Sequence, residues 1–355
     1  MPPAHLHSSE KSCRETVYVK PRDMADTITL SVPRSEKDKR FDAALFSMLE
    51  KDFPGRFSRS GLGKMIRAGQ ALRNGKADKP STPVSQDDIL TLTETPEEQA
   101  SGLSPYTGSA PKILEETPAY VAIDKPAGLQ VHPVAEGRGK TLAHWIASAY
   151  PETASVGEDR LRPGIMHRLD RETSGVMLIA KTQEAFIELK QAFHDRKTEK
   201  VYIALVFGHL TELSGTIDQP LGQRSGELRR RAGDRTMKNL REAVTEYRVI
   251  ARYPSCDLVL AMPKTGRTHQ IRAHFAWLGH PIIGDRLYAS KQSRQDTALS
   301  ANRHMLHAWR LSLPFFSQKL HFQAPLPTDF KDVLRSIDPS TYFDEDSYQQ
   351  IVGSR

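Results

Sequence analysis

The segment Met166-His167-Arg168-Leu169-Asp170-Arg171-Glu172-Thr173-Ser174-Gly175 runs directly into the apolar stretch Val176-Met177-Leu178-Ile179-Ala180. That stretch is short, largely aliphatic and bounded by Gly and Lys-Thr, so it reads as a buried strand. A His, an Arg and an Asp precede it, then Thr-Ser-Gly. A polar loop pinned to the edge of a core strand is a common way to hold reactive side chains in place. Asp170 is therefore the candidate centre, and the rest of the chain is read for groups that agree with it.

The 355 residues allow two domains and a sizeable core. Lys and Arg number 50 against 43 Asp and Glu, a net charge of +7 that leans towards a polyanionic partner, although many plain enzymes carry as much. Cys13 lies in a polar tail and Cys256 in an apparent strand, so neither a disulfide framework nor a zinc set can be built, which suits a reducing cytosol. The N-terminus lacks an apolar run of signal-peptide length, and no stretch approaches the ~18 apolar residues of a membrane span. The expectation is a cytoplasmic protein with no membrane partner.

Residues 1–36 are polar and mixed in charge, which reads as a disordered extension. Phe41, Leu45, Phe46 and Leu49 then recur at helical spacing. Ser58 or Ser60 can cap a second helix through Leu62, Met65 and Ile66 that stops at Gly69. Asn74-Gly75 is a hairpin-turn signal and Ile89 to Leu92 a closing strand. Arg56, Arg59, Lys64, Arg67, Arg73 and Lys76 crowd the second helix and the turn, either as a solvated surface or as an RNA-binding face. Residues 94–111, rich in Pro, Gly, Ser and Thr, read as a flexible linker.

A second domain is expected over 112–335, followed by a polar tail over 336–355. Tyr120 to Ile123 reads as a strand. Gly139-Lys140-Thr141 fails as a phosphate-binding loop because Val134 stands where a Gly is needed, and Thr141 instead begins a helix. Thr182 can cap a helix burying Phe186, Leu189 and Phe193. Lys200 to Val206 reads as a strand, in which Tyr202 is unremarkable by composition. The basic run from Gln223 to Glu242, with Arg229, Arg230 and Arg231, is a solvated loop or a phosphate-contacting one. Ala243 to Met262 forms a hairpin. Thr268 is expected to cap a helix carrying Ile271, Phe275 and Leu278, which sets Arg267 at its mouth. Leu306 to Leu311 is a further strand or short helix.

Three chemistries compete for Asp170. A metal hydrolase could draw on His167, Asp170, His269, His274, His280 and Asp285, but no short ligand signature is present and nearby arginines disfavour a divalent cation. An RNA-binding protein without activity would use Asp170 only as an ion-pair partner. In the third, Asp170 acts as nucleophile or base on a nucleotide, needing no cofactor, with an opposing Arg keeping it ionised and aimed.

Ser58-Arg59-Ser60, Ile66-Arg67-Ala68-Gly69 and Asn74-Gly75-Lys76, followed by the closing strand, resemble the S-four-like RNA-binding domain. His167-Arg168-Leu169-Asp170-x-x-Thr173-Ser174-Gly175 resembles the central motif of the RluA-type pseudouridine synthases. Tyr120 to Pro133, Val201-Tyr202-Ile203-Ala204, Glu242-Ala243-x-Thr245-x-Tyr247, Thr265-Gly266-Arg267-Thr268-His269-Gln270-Ile271-Arg272-x-His274 and Gly279-His280-Pro281-Ile282-x-Gly284-Asp285 follow in that family's order.

The resemblance implies an α+β fold, in which a mixed, largely antiparallel sheet carries a central cleft and a small RNA-binding module precedes it. It implies isomerisation of uridine to pseudouridine in RNA without metal or organic cofactor. Asp170 would be the essential carboxylate, Tyr202 would stack on the base, and Arg267 would pair with Asp170. His167 and Arg168 would contact flanking RNA, and Thr173 and Ser174 would fix the loop. Arg59, Lys64, Arg67 and Lys76 in the module, and Arg229, Arg230, Arg231 and Arg272 in the catalytic domain, are expected RNA contacts. Large-subunit ribosomal RNA is the first expectation for the target and transfer RNA the alternative, with a monomer as the default state.

Overall fold

The structure, a computed structural model, describes residues 27–53, 57, 59–93, 103–133, 140–223, 227, 229–234, 237, 240–290, 293 and 301–339. The chain divides into two compact units between Gly102 and Leu103.

The first unit contains β1 (Thr27–Ser31), α1 (Phe41–Asp52), α2 (Arg59–Arg67), β2 (Ala71–Arg73) and β3 (Ile89–Thr93). Its antiparallel sheet runs β1-β3-β2. Ile28, Leu30, Leu45, Leu62, Ile66 and Leu92 meet in one core. Residues 27–36 correct the expected extension. Ile28, Leu30 and Val32 are buried while Thr27, Thr29 and Ser31 are exposed, and this period of two sets β1 beside β3. Residues 1–26, Ser58 and the Ser60 side chain lie outside the described residues. The Asn74-Gly75 turn is formed as expected, with φ of 52° and 74° and two reciprocal backbone bonds between Arg73 and Lys76.

The second unit contains, in order, β4 (Lys112–Glu116), β5 (Tyr120–Lys125), α3 (Leu142–Ala149), β6 (Ser174–Ala180), α4 (Gln183–His194), β7 (Glu199–Phe207), β8 (Ser214–Asp218), β9 (Leu221–Gln223), β10 (Arg230–Ala232), β11 (Val244–Tyr253), β12 (Cys256–Pro263), α5 (Gln270–Trp277), β13 (Leu306–Phe315), β14 (Gln318–Gln323) and α6 (Thr328–Ile337). Nine strands form one sheet in the order β4-β5-β6-β13-β7-β12-β11-β8, with β14 paired to β13. Every pairing in it is antiparallel except β6 with β13. β9 and β10 make a separate two-stranded hairpin. No helix among the described residues is long and apolar enough to cross a membrane.

β6 shows why its sequence is continuously apolar. Val176, Leu178 and Ala180 face a cluster with Phe186 and Leu189 of α4. Met177 and Ile179 face the opposite cluster, with Leu142 and Ile146 of α3. Both faces are covered, and all five positions from Val176 to Ala180 are apolar. Thr182 caps α4 by accepting from the Ala185 amide, as its sequence suggested. The linker reading ends at Leu103: Leu103 and Tyr106 pack against the α3 cluster, and Ser148 Oγ accepts from the Tyr106 amide at 3.0 Å. Residues 94–102 lie outside the described set, and α6 extends to Ile337, inside the segment expected to be tail.

The parallel step between β6 and β13 depends on Gly175. Its φ is 115°, and a Cβ there would lie 2.1 Å from the Ala308 carbonyl oxygen. Gly175→Ala is expected to destabilise the protein by about 3 kcal/mol or more, combining backbone strain with displacement of β13. Urea denaturation monitored by circular dichroism checks this, and a change below about 1 kcal/mol would mean that the strand pair yields easily.

Candidate active site

Asp170 lies in the loop that leads into β6, four residues before the strand, and opens onto a cleft of about 580 Å³. The Asp170 loop, β7, and the turn and first residues of α5 line it, bringing Arg168, Lys200, Tyr202, Arg267, His269 and Arg272 to the same space. The loop's scaffold is polar and buried. Thr173 Oγ1 bonds His304 Nε2 at 2.8 Å, and Ser174 Oγ bonds His307 Nδ1 at 2.9 Å. Burial pushes both imidazoles down, His304 to about 3 and His307 to about 4, so they hold the loop as neutral rings. Both hydroxyls are engaged by these rings, so Thr173, at the cleft wall, and Ser174 anchor the loop.

Lys125 supplies the other support. Fully buried at the end of β5, its Nζ donates to the carbonyls of Pro126 (2.9 Å), Leu129 (2.9 Å) and Arg171 (3.0 Å). It thereby ties the loop after β5 to the residue that follows Asp170. Burial lowers its ammonium to about 7.

The cation on Asp170 is Arg272, not Arg267. Arg272 Nη1 donates to Asp170 Oδ2 at 2.9 Å. Its other edge grips Asp285, Nε to Oδ2 at 2.6 Å and Nη2 to Oδ1 at 2.9 Å. Asp285 also accepts from the amides of Leu287 and Tyr288, so its orientation is fixed. Burial opposes the Arg272 charge, but the hydrogen bonds and charge of Asp285, then of Asp170, outweigh it and raise its pKa. Burial likewise opposes the Asp285 carboxylate, yet Arg272 brings it below its usual range. Arg272 is thus a permanent cation with one donor pair spent on Asp285 and one N–H aimed at Asp170.

Arg267 is exposed; its Nε donates to the Glu242 carbonyl at 3.0 Å. The physical cause is the helix start. Thr268 was expected to cap the helix, but the N-cap is His269, in the left-handed region with φ of 58°, and α5 begins at Gln270. Arg267 falls in the turn before the helix, where the Gln270 side chain holds its amide at 3.0 Å. Arg272, in the first turn of the helix, faces Asp170. Arg272 was also expected among the RNA contacts, and its buried ion pairs replace that reading.

Tyr202 stands on β7 opposite Ala261 and Ala308 and lines the same cleft. Burial, then the negative charge of Asp170, pushes its phenol well above the ordinary tyrosine range, so it presents a neutral ring and an O–H. Two residues earlier, Lys200 donates to the Thr265 carbonyl at 3.3 Å, with its pKa lowered to about 8 by burial and by Arg196. His269 Nε2 lies 3.9 Å from Asp170 Oδ2.

His167 corrects a second expectation. Its Nε2 accepts from the Leu178 amide at 2.9 Å and its ring stacks on Phe193 at 4.5 Å. Burial lowers it to about 3, so it walls the cleft as a neutral packed group rather than a charged RNA contact. Arg168 is exposed at the rim, where a phosphate contact is open to it. Other motif residues build the frame. Gln270 Nε2 donates to Val244 O and Thr245 Oγ1, while Oε1 accepts from Thr265 Oγ1 and the Arg267 amide. His274 sits between Thr245 Oγ1 and Gln219 O. Asp285 is taken by Arg272 and His280 by the Phe207 carbonyl. Among the described residues no three His, Cys, Asp or Glu side chains are grouped to hold a metal.

Arg229, Arg230 and Arg231 lie at the β9–β10 hairpin, with Arg231 paired to Glu227. In the first unit Arg73 is spent on Asp78 and Asp88, and Arg59 reaches Asp42 at 3.3 Å. Lys64, Arg67 and Lys76 are exposed and have no acidic partner among the described residues. Arg56 lies outside them.

The family model described as RNA pseudouridylate synthase matches residues 119–277, which span the cleft. An RNA pseudouridine synthase of Aquifex aeolicus is 36% identical over 297 residues, covering 81% of this chain and 92% of its own. The ribosomal large subunit pseudouridine synthase D of Nitrosomonas europaea is 33% identical over 321 residues, covering 88% of each. Among solved structures, human RNA pseudouridylate synthase domain containing 1 aligns with a TM-score of 0.56 and 26% identity, over 70% of this chain and 98% of that one.

Proposed function

The chain belongs to the RNA pseudouridine synthases, isomerases that act on RNA, and we propose that Asp170 is its essential carboxylate and large-subunit ribosomal RNA its substrate. The observation that carries the first part is the Asp170–Arg272–Asp285 chain at the floor of a cleft walled by Tyr202. Arg272 fixes one of the Asp170 oxygens through a charge-assisted hydrogen bond. Among the described residues Asp170 Oδ1 has no hydrogen-bond partner, which leaves it available to a ribose.

Uridine and pseudouridine contain the same atoms. The bond from N1 to the sugar carbon breaks, the uracil turns, and C5 bonds to the same carbon; the proton on C5 is lost and N1 gains one. No electrons enter or leave, so a carboxylate suffices. Asp170 acts on the ribose, at the anomeric carbon or on a sugar proton. The Tyr202 ring stacks on the freed base, and its O–H stands close to where protons must move. Drawing the uridine out of its stack costs a few kcal/mol, which phosphate contacts from Arg168 and Arg267 at the rim offset.

Several relatives are ribosomal large subunit pseudouridine synthases D, which supports the ribosomal target. Mapping pseudouridines in total RNA from cells with and without the gene tests it. Loss of sites in large-subunit ribosomal RNA is the expected result, and loss confined to transfer RNA overturns it.

The first unit is read as an S-four-like RNA-binding module, with β1 extending the expected 37–93 back to Thr27, supported by exposed Lys64, Arg67 and Lys76 on α2 and the hairpin turn. Replacing those three with Gln is expected to weaken RNA binding and lower the slope of log K against log salt by about 2 to 3. An unchanged slope in filter binding removes the module from the phosphate interface.

A further inference from the structure

Beyond the uridine cleft, the second unit carries a smaller hollow of about 210 Å³ that shares no lining residue with it. Its walls are the arginines of the β9–β10 hairpin and the outer face of α5. Trp277, the last residue of α5, stands over it and is 47% exposed. Its open ring face beside clustered arginines is a surface on which a base can stack.

The indole is held in place. A Cβ at Gly233 would lie 2.4 Å from Trp277 Nε1, so the backbone after β10 runs against the ring's edge. Three arginines in a row, Arg229, Arg230 and Arg231, flank it, against Asp234 in the hollow and Glu227, which pairs with Arg231. A fixed aromatic platform beside clustered guanidinium groups is the chemistry that takes one nucleobase by stacking and its phosphates by charge.

The hairpin is also tied to the catalytic pair. Tyr288 accepts from the Arg230 amide at 2.7 Å. The Tyr288 ring centroid lies 5.1 Å from Arg229 Cζ and 5.2 Å from Arg272 Cζ. A nucleotide bound at Trp277 is therefore registered, through one tyrosine, against the arginine that holds Asp170.

We infer that Trp277, with Arg229, Arg230 and Arg231, forms a docking site for an unpaired RNA nucleotide outside the uridine cleft. The inference rests on the RNA substrate of the family and names a contact surface that family membership does not. The site discriminates single-stranded from duplex RNA, because a paired base keeps its faces covered.

Tryptophan emission tests it on the full-length enzyme. Trp277 is the exposed one of three tryptophans, since Trp145 and Trp309 are buried. The probe is a short end-labelled oligocytidylate, which offers no uridine to the cleft. It is expected to quench the emission of the wild type in step with its binding, read independently by anisotropy of the label. Trp277→Phe should bind nearly as well with the quench gone. Trp277→Ala should bind about 10-fold more weakly, the loss of one base–aromatic stack. An oligonucleotide that does not bind, that binds without moving the emission, or that binds Trp277→Ala as well as wild type overturns the site. Pseudouridine formation by the wild type on uridine-containing RNA, measured on the same preparation, separates failure of this site from failure of the enzymatic assignment.

Discussion

Asp170→Asn is expected to abolish pseudouridine formation, with a rate loss on the order of 10⁶, while RNA affinity changes little. Asparagine has nearly the shape of aspartate and still offers Arg272 Nη1 a carbonyl acceptor at the same place. The Thr173–His304 and Ser174–His307 anchors and the Lys125 clamp do not involve the Asp170 side chain, so the loop keeps its course. What disappears is the charged oxygen, which either role for Asp170 requires: an amide neither attacks a sugar carbon nor removes a sugar proton. The measurement is single-turnover conversion of unmodified RNA by purified protein, beside a binding titration and a thermal melt. Activity within 100-fold of wild type, from a variant that binds and melts normally, would show that another group does the chemistry.

The position of Asp170 was readable because two physical signals coincide there. The abrupt change from polar to aliphatic residues marks the start of β6, and the burial of β6 on both faces follows from its unbroken apolar run. Tyr202 was legible only through resemblance. Its strand reads like any other apolar strand, and its special character comes from burial and then from the charge of Asp170 across the cleft, which no local pattern encodes. Lys125 was illegible for the same reason, since one of its three carbonyl partners lies 46 residues away. β1 is a different kind of miss. Five alternating residues carry the period-two signal, but they follow a long polar stretch and were read with it. The error over Arg267 was one of register. The helix starts one residue later than expected, which leaves Arg267 in the turn before it, while Arg272, in its first turn, reaches Asp170. Thr268 looked like the cap, whereas the chain uses a left-handed His269, a conformation that sequence rarely announces.

That register difference gives the second large effect, a contrast between two arginines five positions apart. Arg272→Gln is expected to lower the rate by about 10³ or more and to cost about 3 to 5 kcal/mol of stability. Its removal leaves Asp285 buried with a carboxylate that two amides only partly satisfy, and leaves Asp170 without its fixed cation. Arg267→Gln removes an exposed side chain whose guanidinium bonds one backbone carbonyl, so stability should move by less than about 0.5 kcal/mol. Its effect on rate should stay within about 10-fold and appear mainly in RNA affinity, as suits a rim contact. Arg272→Lys separates charge from geometry. A lysine can neutralise Asp285 or reach Asp170, but it lacks the fork that does both at once. Stability should recover in part while the rate stays low. Rates are to be taken below the melting temperature of the weakest variant, so that unfolding does not imitate lost chemistry. If Arg267→Gln proves the slower of two folded variants, the ion pair on Asp170 in the RNA-bound enzyme is not the one formed by Arg272.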